Sequence, residues 1–331
     1  MQNNSFWWKK RPGFLVFLNF LPEFIISLKN LFIRPYESKL KVLCIGNFTV
    51  GGSGKTPMVR YVRNLLEEKG YKCGVLLRGY RGFLKGPIEV SYGNHKSEEV
   101  GDEALMHSKD GLTVVSKDRV NGCKYLEKIG VDIIILDDGF QNPSLKKDYN
   151  LIMVSSTQGI GNNLVLPFGP LRETLKRSSK NVNMVIKSKY SENDHHSFDI
   201  ISKSYNDILT ANYITEIDNR VSKNVILYTG IADPSKFSDA ILKKNYQILE
   251  SFILDDHEEI NEKLANKILN ASKDKNADII TTEKDIVRLN HAKDGSFRKE
   301  LSLKSNIAIL KIDLDKIILL KLIEDGLNLS H

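Results

Sequence analysis

Residues 41–56 read KVLCIGNFTVGGSGKT and contain the strongest pattern in this sequence. An apolar run typical of a buried strand leads into a Gly-rich loop, and a helical pattern starts directly after the loop. Glycines let a backbone turn its N–H groups around phosphate oxygens, and a helix N-terminus adds positive partial charge. Lys55 would reach the phosphates, and the Thr56 hydroxyl would bind Mg²⁺. We therefore predict a nucleotide-phosphate loop formed by Thr49, Val50, Gly51, Gly52, Ser53, Gly54, Lys55 and Thr56.

Short apolar runs bounded by polar residues or glycine recur along the chain outside this loop. They alternate with segments of helical periodicity, the clearest of which covers residues 56–69. This alternation predicts an α/β fold of the P-loop NTPase type, with a mostly parallel sheet and helices on both faces. The predicted strands are 41–46, 73–78, 113–116, 132–137, 151–155, 182–188, 224–229, 247–254, 278–282 and 307–312.

The length of 331 residues allows two domains of moderate size. We assign residues 36–195 to a P-loop kinase domain and residues 220–331 to a smaller α/β domain. Between them, residues 196–219 alternate β-branched and aromatic residues around a polar turn at Asn206-Asp207. This pattern predicts a two-stranded ribbon or linker.

Residues 1–35 form a separate N-terminal segment with an apolar stretch from Phe14 to Ile33. Polar residues interrupt this stretch before it reaches the ~20 residues that a spanning helix needs. On a helical period the polar residues share one stripe and the apolar residues the opposite one, which predicts an amphipathic helix with a kink at Pro22. The flanking Trp7 and Trp8 favour contact with a membrane surface, although the apolar face could instead pack on the protein's own core.

Composition narrows the function classes only partly. Lys and Arg exceed Asp and Glu by 48 − 41 = +7, a balance that suits polyanions or an anionic membrane as well as an ordinary solvated surface. The three cysteines, Cys44, Cys73 and Cys123, are far apart and form no C-x-x-C pair, so they suggest neither a disulfide framework nor a zinc knuckle. A reducing compartment is the natural expectation.

Acidic and basic residues follow several predicted strands. The apolar run 131–136 ends in Asp137-Asp138, the kind of acidic pair that positions Mg²⁺ beside phosphates in P-loop enzymes. The sequence LPFGPLRE at 166–173 presents Arg172-Glu173, in which Arg suits a phosphate and Glu suits a metal. A surface ion pair would also explain Arg172-Glu173.

Two further motifs have structural explanations when each is considered by itself. Asp102 in GDEA, residues 101–104, could simply cap a helix. His257 follows a predicted strand in Asp255-Asp256-His257, but a lone histidine is more often structural than catalytic.

Taken together, these segments closely resemble the tetraacyldisaccharide 4′-kinase family, the lipid A 4′-kinases of Gram-negative bacteria. The resemblance covers nearly the whole chain and is far more specific than the phosphate loop alone. It is carried by GNFTVGGSGKTP (46–57), LRGYRG (77–82), GDEA (101–104), DDGFQN (137–142), LPFGPLRE (166–173), GIADPSKF (230–237), DDH (255–257) and TTEKD (281–285).

The resemblance implies transfer of the ATP γ-phosphate to the 4′-hydroxyl of a tetraacylated glucosamine disaccharide 1-phosphate. It also implies a peripheral enzyme on the cytoplasmic face of the inner membrane, with two αβα lobes joined by a β-ribbon. We expect a monomer with no nucleic-acid partner. The catalytic residues implied are Asp102, His257, Lys55, Asp137, Asp138 and Arg172, and the Mg²⁺ ligands implied or predicted are Thr56, Asp138 and Glu173.

The chain departs from the family pattern at two positions. Asn142 replaces the histidine of the usual DDGxQH motif, and Glu258 replaces the second histidine of DHH. His257 is therefore the sole histidine candidate at its site. We expect Asp102 to accept the proton of the sugar hydroxyl, with His257 orienting it or sharing the proton.

Two alternatives remain open at this point. A membrane-associated regulatory ATPase of the partition type shares the G-G-x-G-K-T loop, but it carries a second Lys where this chain has Val50. Thr49 also departs from the common P-loop form, which has Gly there. The other alternative is a soluble small-molecule kinase whose N-terminal helix belongs to the core.

Overall fold

A computed structural model describes residues 6–9, 17–190, 194–205, 208–231, 233–255 and 258–329. Within these ranges, twelve strands form one sheet in the order β10-β9-β11-β12-β8-β7-β6-β1-β5-β2-β4-β3. The strands are β1 Lys41–Asn47, β2 Cys73–Leu77, β3 Ile88–Glu89, β4 Thr113–Val115, β5 Ile133–Asp137, β6 Tyr149–Ser155, β7 Met184–Lys189, β8 Ile208–Glu216, β9 Asn224–Thr229, β10 Gln247–Ile253, β11 Asp278–Thr282 and β12 Ser305–Asp313.

Helices connect the strands and cover both faces of the sheet. The α-helices are α1 Phe20–Leu31, α2 Lys55–Glu68, α3 Ser97–Val100, α4 Asp102–Ser108, α5 Arg119–Ile129, α6 Leu175–Ser178, α7 Phe198–Ser204, α8 Pro234–Lys243, α9 Glu262–Asp274, α10 Glu283–Ile286, α11 Phe297–Lys304 and α12 Lys316–Leu327. Two 3₁₀ turns follow α6 and α10, at Ser179–Asn181 and Val287–Leu289.

Alternation along β1 shows why helices are needed on both faces. Leu43 and Ile45 belong to one hydrophobic cluster, whereas Val42 and Cys44 belong to the cluster on the opposite face, and all four are fully buried. A parallel strand of this kind is apolar on both sides, so each face must be covered. The predicted α/β fold with a mostly parallel sheet is confirmed, since antiparallel pairing occurs in the described sheet only between β12 and β8 and between β3 and β4.

The two predicted domains share this sheet and part of one core. The cluster that contains Leu43 from β1 also contains Ile226 and Tyr228 from β9. Strands β9 to β12 are parallel to one another, and the antiparallel pair β8–β12 joins them to the first half. The domain boundary near residue 220 stays a prediction, because sheet and core run across it.

The structure differs from the predicted ribbon at 198–219. Helix α7 occupies the first part, because Phe198 and Ile201 have helical spacing and are both buried. Only β8 is extended, with Ala211, Tyr213 and Thr215 buried in alternation. The antiparallel partner of β8 is β12, about a hundred residues later in the chain, so local patterning could not identify it. The predicted turn at Asn206-Asp207 lies outside the described residues.

Helix α1 is amphipathic as predicted, but it presents the apolar face to solvent. Asn19, just before its first turn, accepts a hydrogen bond from the Val165 N–H (2.8 Å). Further along its polar stripe, Glu23 accepts one from Thr174 Oγ1 (3.1 Å). Pro22, where we predicted a kink, lies in the first turn of this continuous helix, where no intrahelical N–H is needed. Within the described ranges, no helix combines the length and apolarity required to cross a bilayer.

Candidate active site

The Gly-rich loop lies between β1 and α2, as predicted. Gly51 and Gly54 have φ values of 108° and 82°, in the left-handed region that favours glycine. A Cβ at Gly54 would lie 2.6 Å from the Tyr213 hydroxyl oxygen, so the position also lacks space for a side chain. That hydroxyl donates to the Gly54 carbonyl (2.7 Å), and Ser188 Oγ donates to the Ser53 carbonyl (2.9 Å). Strands β7 and β8 thus hold the loop backbone in place.

Asp138 lies at the centre of a charged cluster beside this loop. Arg172 binds it through two parallel contacts, from Nη1 to Oδ1 (2.7 Å) and from Nη2 to Oδ2 (2.9 Å). The Lys55 ammonium lies 3.7 Å from Asp138 Oδ1. Partial burial alone would raise the pKa of Asp138, but Lys55 and Arg172 lower it below its ordinary value. The sequence-predicted residues Lys55, Asp138 and Arg172 are therefore brought together, and the two cations favour the ionised form of Asp138.

Backbone pairing explains how Arg172 reaches this cluster. The loop that precedes it runs beside the chain leaving β1, with a bridge between Thr49 and Leu171. Val50 N–H donates to the Pro170 carbonyl (2.8 Å), and Arg172 N–H donates to the Phe48 carbonyl (2.9 Å). These contacts attach the LPFGPLRE segment directly to the phosphate loop.

Asp137 has a different environment from its neighbour. Its Oδ2 lies 2.8 Å from His107 Nε2, and both side chains are buried. Asp137 Oδ1 has no hydrogen-bond partner among the residues that the structure describes. His107 was not predicted from the sequence, because it lies in the last turn of α4 and belongs to no motif that would mark it.

Glu103 and Arg119 are two further groups at this site that the sequence analysis did not select. Burial raises the pKa of Glu103, and Asp137 raises it further, while Lys284 and Lys55 act in the opposite direction. Burial lowers the pKa of Arg119 to about 10, and the nearby Asp137 partly offsets this. A usable signal existed for Arg119, since it opens helix α5 directly after a predicted strand.

Asp102 is not a helix cap. Gly101 occupies the N-cap position with a φ of 90°, and Asp102 is the first residue of α4. The Asp102 carboxylate accepts a hydrogen bond from Ser97 Oγ and a charge-assisted one from Arg288 Nε (3.0 Å). The structural explanation of GDEA as a simple capping motif is therefore wrong. The adjacent Glu103 lies close enough to Lys55, Asp137 and Asp138 for their charges to influence its pKa.

Glu173 and His257 remain predictions at this site. Glu173 accepts a hydrogen bond from Ser178 Oγ (3.0 Å) and lies 3.5 Å from Arg177 Nε, so its observed contacts are with α6. Burial raises the pKa of Glu173. His257 lies outside the described residues.

The residues near the loop fit a magnesium ion that is bound mainly through nucleotide phosphates. Mg²⁺ in phosphoryl-transfer enzymes is typically held by one or two carboxylates together with phosphate oxygens and water. The buried Oδ1 of Asp137, which lacks a hydrogen-bond partner among the described residues, could bind a metal-coordinated water. Across the described ranges, no three His, Cys, Asp or Glu side chains form a self-sufficient metal site. Thr56, which follows Lys55 at the start of α2, would supply the hydroxyl ligand.

A sequence model of the tetraacyldisaccharide-1-P 4′-kinases matches residues 13–323. The chain belongs to this family. A tetraacyldisaccharide 4′-kinase from Rhizobium etli is 33% identical over 93% of this chain and 89% of its own length. Another from Methylobacterium radiotolerans is 35% identical over 76% of this chain and 77% of its own length.

A solved structure agrees with this family assignment. It is described as LpxK from Aquifex aeolicus in complex with ATP, and it superposes with a TM-score of 0.71. Its sequence is 26% identical, and the match covers 95% of this chain and 99% of that one. The predicted resemblance and enzyme class are confirmed, and the family match favours the kinase over a partition-type ATPase. The ATP in that structure agrees with the predicted cofactor.

Proposed function

We propose that this member of the tetraacyldisaccharide-1-P 4′-kinase family transfers the γ-phosphate of ATP to the 4′-hydroxyl of a tetraacyl glucosamine disaccharide 1-phosphate. The main structural support is the convergence of Lys55, Asp138 and Arg172 beside the Gly-rich loop. Phosphoryl transfer requires positioning and charge neutralisation more than covalent chemistry from the protein. This cluster provides both at one place.

Each group has a distinct task in the proposed reaction. Backbone N–H groups of the loop bind the phosphate oxygens, and Lys55 neutralises charge that builds up on them. Asp138 orients Lys55 and Arg172, because it contacts both side chains. A Mg²⁺ ion bound with the nucleotide would neutralise further phosphate charge. Arg119, buried nearby and close to the acidic pair, adds a fixed positive charge.

Asp102 is the proposed acceptor of the hydroxyl proton. As the sugar oxygen attacks the γ-phosphorus, its proton moves to the Asp102 carboxylate, and ADP leaves with the bond between phosphorus and the bridging oxygen broken. His257 would orient Asp102 or share that proton. The Asp102 carboxylate is buried, with only 3% of its side-chain surface exposed.

Membrane association of the peripheral type is supported by the orientation of α1. Its apolar side chains face outwards, and Phe24 and Leu28 are 56% and 51% exposed. The polar side of the same helix is attached to the protein, so the apolar face has no described protein surface to cover it. We propose that this face enters the cytoplasmic leaflet of the inner membrane, where the acyl chains of the substrate also lie.

A basic groove lies beside α1 and suits anionic lipid headgroups. Its volume is about 410 Å³, and it contains both polar residues of α1 and basic residues from the α6 region. Cations beside an inserted apolar face strengthen binding to anionic leaflets by about 1 kcal/mol each. The lining residues are Glu23, Ser27, Lys176, Arg177, Lys180 and Asn181.

The proposed function is tested by transfer of labelled γ-phosphate from ATP to the acylated disaccharide 1-phosphate in detergent micelles. Wild-type protein should phosphorylate this lipid, and Lys55→Met should reduce kcat at least about 100-fold, because one transition-state charge contact is lost. Lys146→Met is the matched control, since Lys146 forms an exposed ion pair with Glu37. No transfer by the wild-type protein would refute the proposed activity.

A further inference from the structure

Residues 281–289, TTEKDIVRL, form a segment that links the two halves of the protein; we call it the TTEKD segment. It begins at the end of β11 and comprises α10 and the 3₁₀ turn Val287–Leu289. Two of its charged side chains contact the first half. Glu283 contacts α2, and Arg288 contacts α4. These are the helices that begin with Lys55 and Asp102.

Arg288 makes the contact with the proposed base. Its Nε donates to Asp102 Oδ2 at 3.0 Å, although 186 positions separate the two residues in sequence. The pair is sequestered from solvent, with exposed side-chain fractions of 5% for Arg288 and 3% for Asp102. Ser97 Oγ donates to the other oxygen, Asp102 Oδ1. Directed contacts at both oxygens restrict rotation of the carboxylate about its Cβ–Cγ bond.

The other end of the Arg288 guanidinium is fixed equally well. Nη1 donates to Asp285 Oδ1 (3.1 Å), and Nη2 donates to the Gly230 carbonyl (3.2 Å). Asp285 in turn accepts hydrogen bonds from Thr229 Oγ1 (2.7 Å) and Thr282 Oγ1 (2.6 Å). Both threonines end strands of the second half, β9 and β11. The guanidinium is therefore anchored to the carboxyl ends of two adjacent strands while it holds Asp102.

Stability alone gives a poor explanation for this arrangement. One guanidinium is buried between two carboxylates, and desolvation of such groups usually cancels most of their mutual attraction. Apolar residues of similar volume would stabilise the fold as well or better. An Arg side chain differs from them in presenting donors in a planar fork with fixed directions. That property matters when an acceptor must be oriented.

The second contact of the TTEKD segment, made by Glu283, connects it to α2, the helix that follows the phosphate loop. Glu283 receives two hydrogen bonds of 2.9 Å from Arg60 Nη1, and Arg60 also binds Asp110. Arg60 lies in α2, five residues after Lys55. The TTEKD segment thus contacts both the helix that carries Lys55 and the helix that carries Asp102.

We propose that Arg288 is a positioning residue, which orients the Asp102 carboxylate towards the acceptor hydroxyl from a site in the second half of the chain. In this role Arg288 acts through Asp102 rather than on the nucleotide or the lipid. This inference rests on the proposed function, in which Asp102 accepts the proton.

A double-mutant cycle between Asp102 and Arg288 tests this inference in the full-length protein. The variants are Asp102→Asn, Arg288→Met and their combination, measured by kcat and KM for lipid phosphorylation and by binding of a fluorescent ATP analogue. Arg288→Met should lower kcat about 100-fold, the usual consequence of a misplaced catalytic group. KM for ATP and analogue binding should change less than about 3-fold, because the nucleotide contacts are intact. In the Asp102→Asn background, Arg288→Met should have little further effect on kcat.

If Arg288→Met does not fold, Arg288→Lys provides a second test of positioning by Arg288. It retains the positive charge between Asp102 and Asp285 but loses the planar fork, so kcat should fall to a value between those of wild type and Arg288→Met. Lys275→Met, which removes a half-exposed ion pair with Glu250 in the same half, is the control that should leave kcat unchanged.

The outcomes separate this inference from the proposed function. Full activity of Asp102→Asn would refute the base assignment on which the inference depends. If Asp102→Asn is inactive but Arg288→Met lowers kcat equally in both backgrounds, or changes only KM, positioning by Arg288 is refuted while the proposed function stands. Full activity of Arg288→Lys together with loss of folding in Arg288→Met would assign Arg288 a purely structural role.

Discussion

Helices α1 and α2 have similar lengths, and each carries an apolar stripe, yet they bury opposite faces. In α2 the apolar side chains, including Val62 and Leu66, are fully buried under the sheet. In α1 the apolar side chains Phe24 and Leu28 are exposed. Its polar stripe faces the protein instead, with Asn19 bound to the Val165 N–H and Glu23 bound to Thr174, just before α6. An amphipathic pattern predicts a helix with one apolar and one polar face, but it does not predict which face packs against the protein. The difference supports the proposal that the apolar face of α1 contacts a membrane surface.

The largest effect should come from placing the same charge on the apolar face of each helix. Val62→Asp would bury an unpaired carboxylate in the core and lower the free energy of unfolding by more than about 3 kcal/mol. Ile25→Asp in α1 should change it by less than about 0.5 kcal/mol, because that side chain is 56% exposed. Urea unfolding measures both.

Asn64→Asp provides the control for this comparison, since it adds the same charge to an exposed position of α2. Its effect should be small. Equal destabilisation by Ile25→Asp and Val62→Asp would mean that the apolar face of α1 is buried after all.

The second effect concerns the surface that α1 would meet. Replacing both Phe24 and Leu28 by Asp should weaken binding to anionic phospholipid vesicles about 100-fold, since each buried apolar side chain contributes about 1.5–3 kcal/mol when fully transferred. Vesicle co-sedimentation measures this. Leu303→Asp changes an exposed apolar residue on α11 and should leave binding unaltered. Similar losses in the two proteins would show that α1 has no special part in membrane binding.

The smallest effect concerns the polar contacts behind α1, where Arg177 donates to Ser27 and also faces Glu173. Burial raises the pKa of Glu173 above its ordinary value of 4.5, so the folded protein binds this proton more tightly than the unfolded chain does. The resulting stabilisation is complete below pH 4.5 and is lost as the pH rises through the raised folded-state pKa. Over this window Glu173→Gln should lose less stability than wild type, because it has no carboxyl group to titrate.

Unfolding in urea at a series of pH values tests this difference. Glu37 is a useful comparison because its pKa is lowered by Lys146, so Glu37→Gln should change the pH slope in the opposite direction or not at all. If the free energy of unfolding depends on pH equally in wild type and in Glu173→Gln, Glu173 does not contribute to the pH dependence of stability.

Local patterns were sufficient for much of the fold and for part of the site. The strands near the phosphate loop and helix α2 end within about two residues of their predicted bounds, because apolar periodicity and glycine signals act over short distances. Lys55 and Asp138 were predicted for the same reason. Each follows a parallel strand, and the carboxyl ends of such strands meet at one sheet edge.

The remaining features depend on pairs that are distant in the chain. The partner of β8 lies in β12, and Asp102 is held by Arg288. His107 contacts Asp137, although no sequence motif predicts that contact. No local rule can foresee such pairs, because they form only when separate elements pack together.

By itself, the sequence determined that this chain has a phosphate loop in an α/β sheet, an amphipathic N-terminal helix and the motifs of a lipid A 4′-kinase. The tertiary structure alone decided which face α1 turns outwards, how the two halves join, and which distant side chain contacts Asp102. The physical reason is the distance along the chain over which each effect acts. Propensity and periodicity act between neighbours in the chain, whereas burial and ion pairing depend on what the folded chain brings close in space.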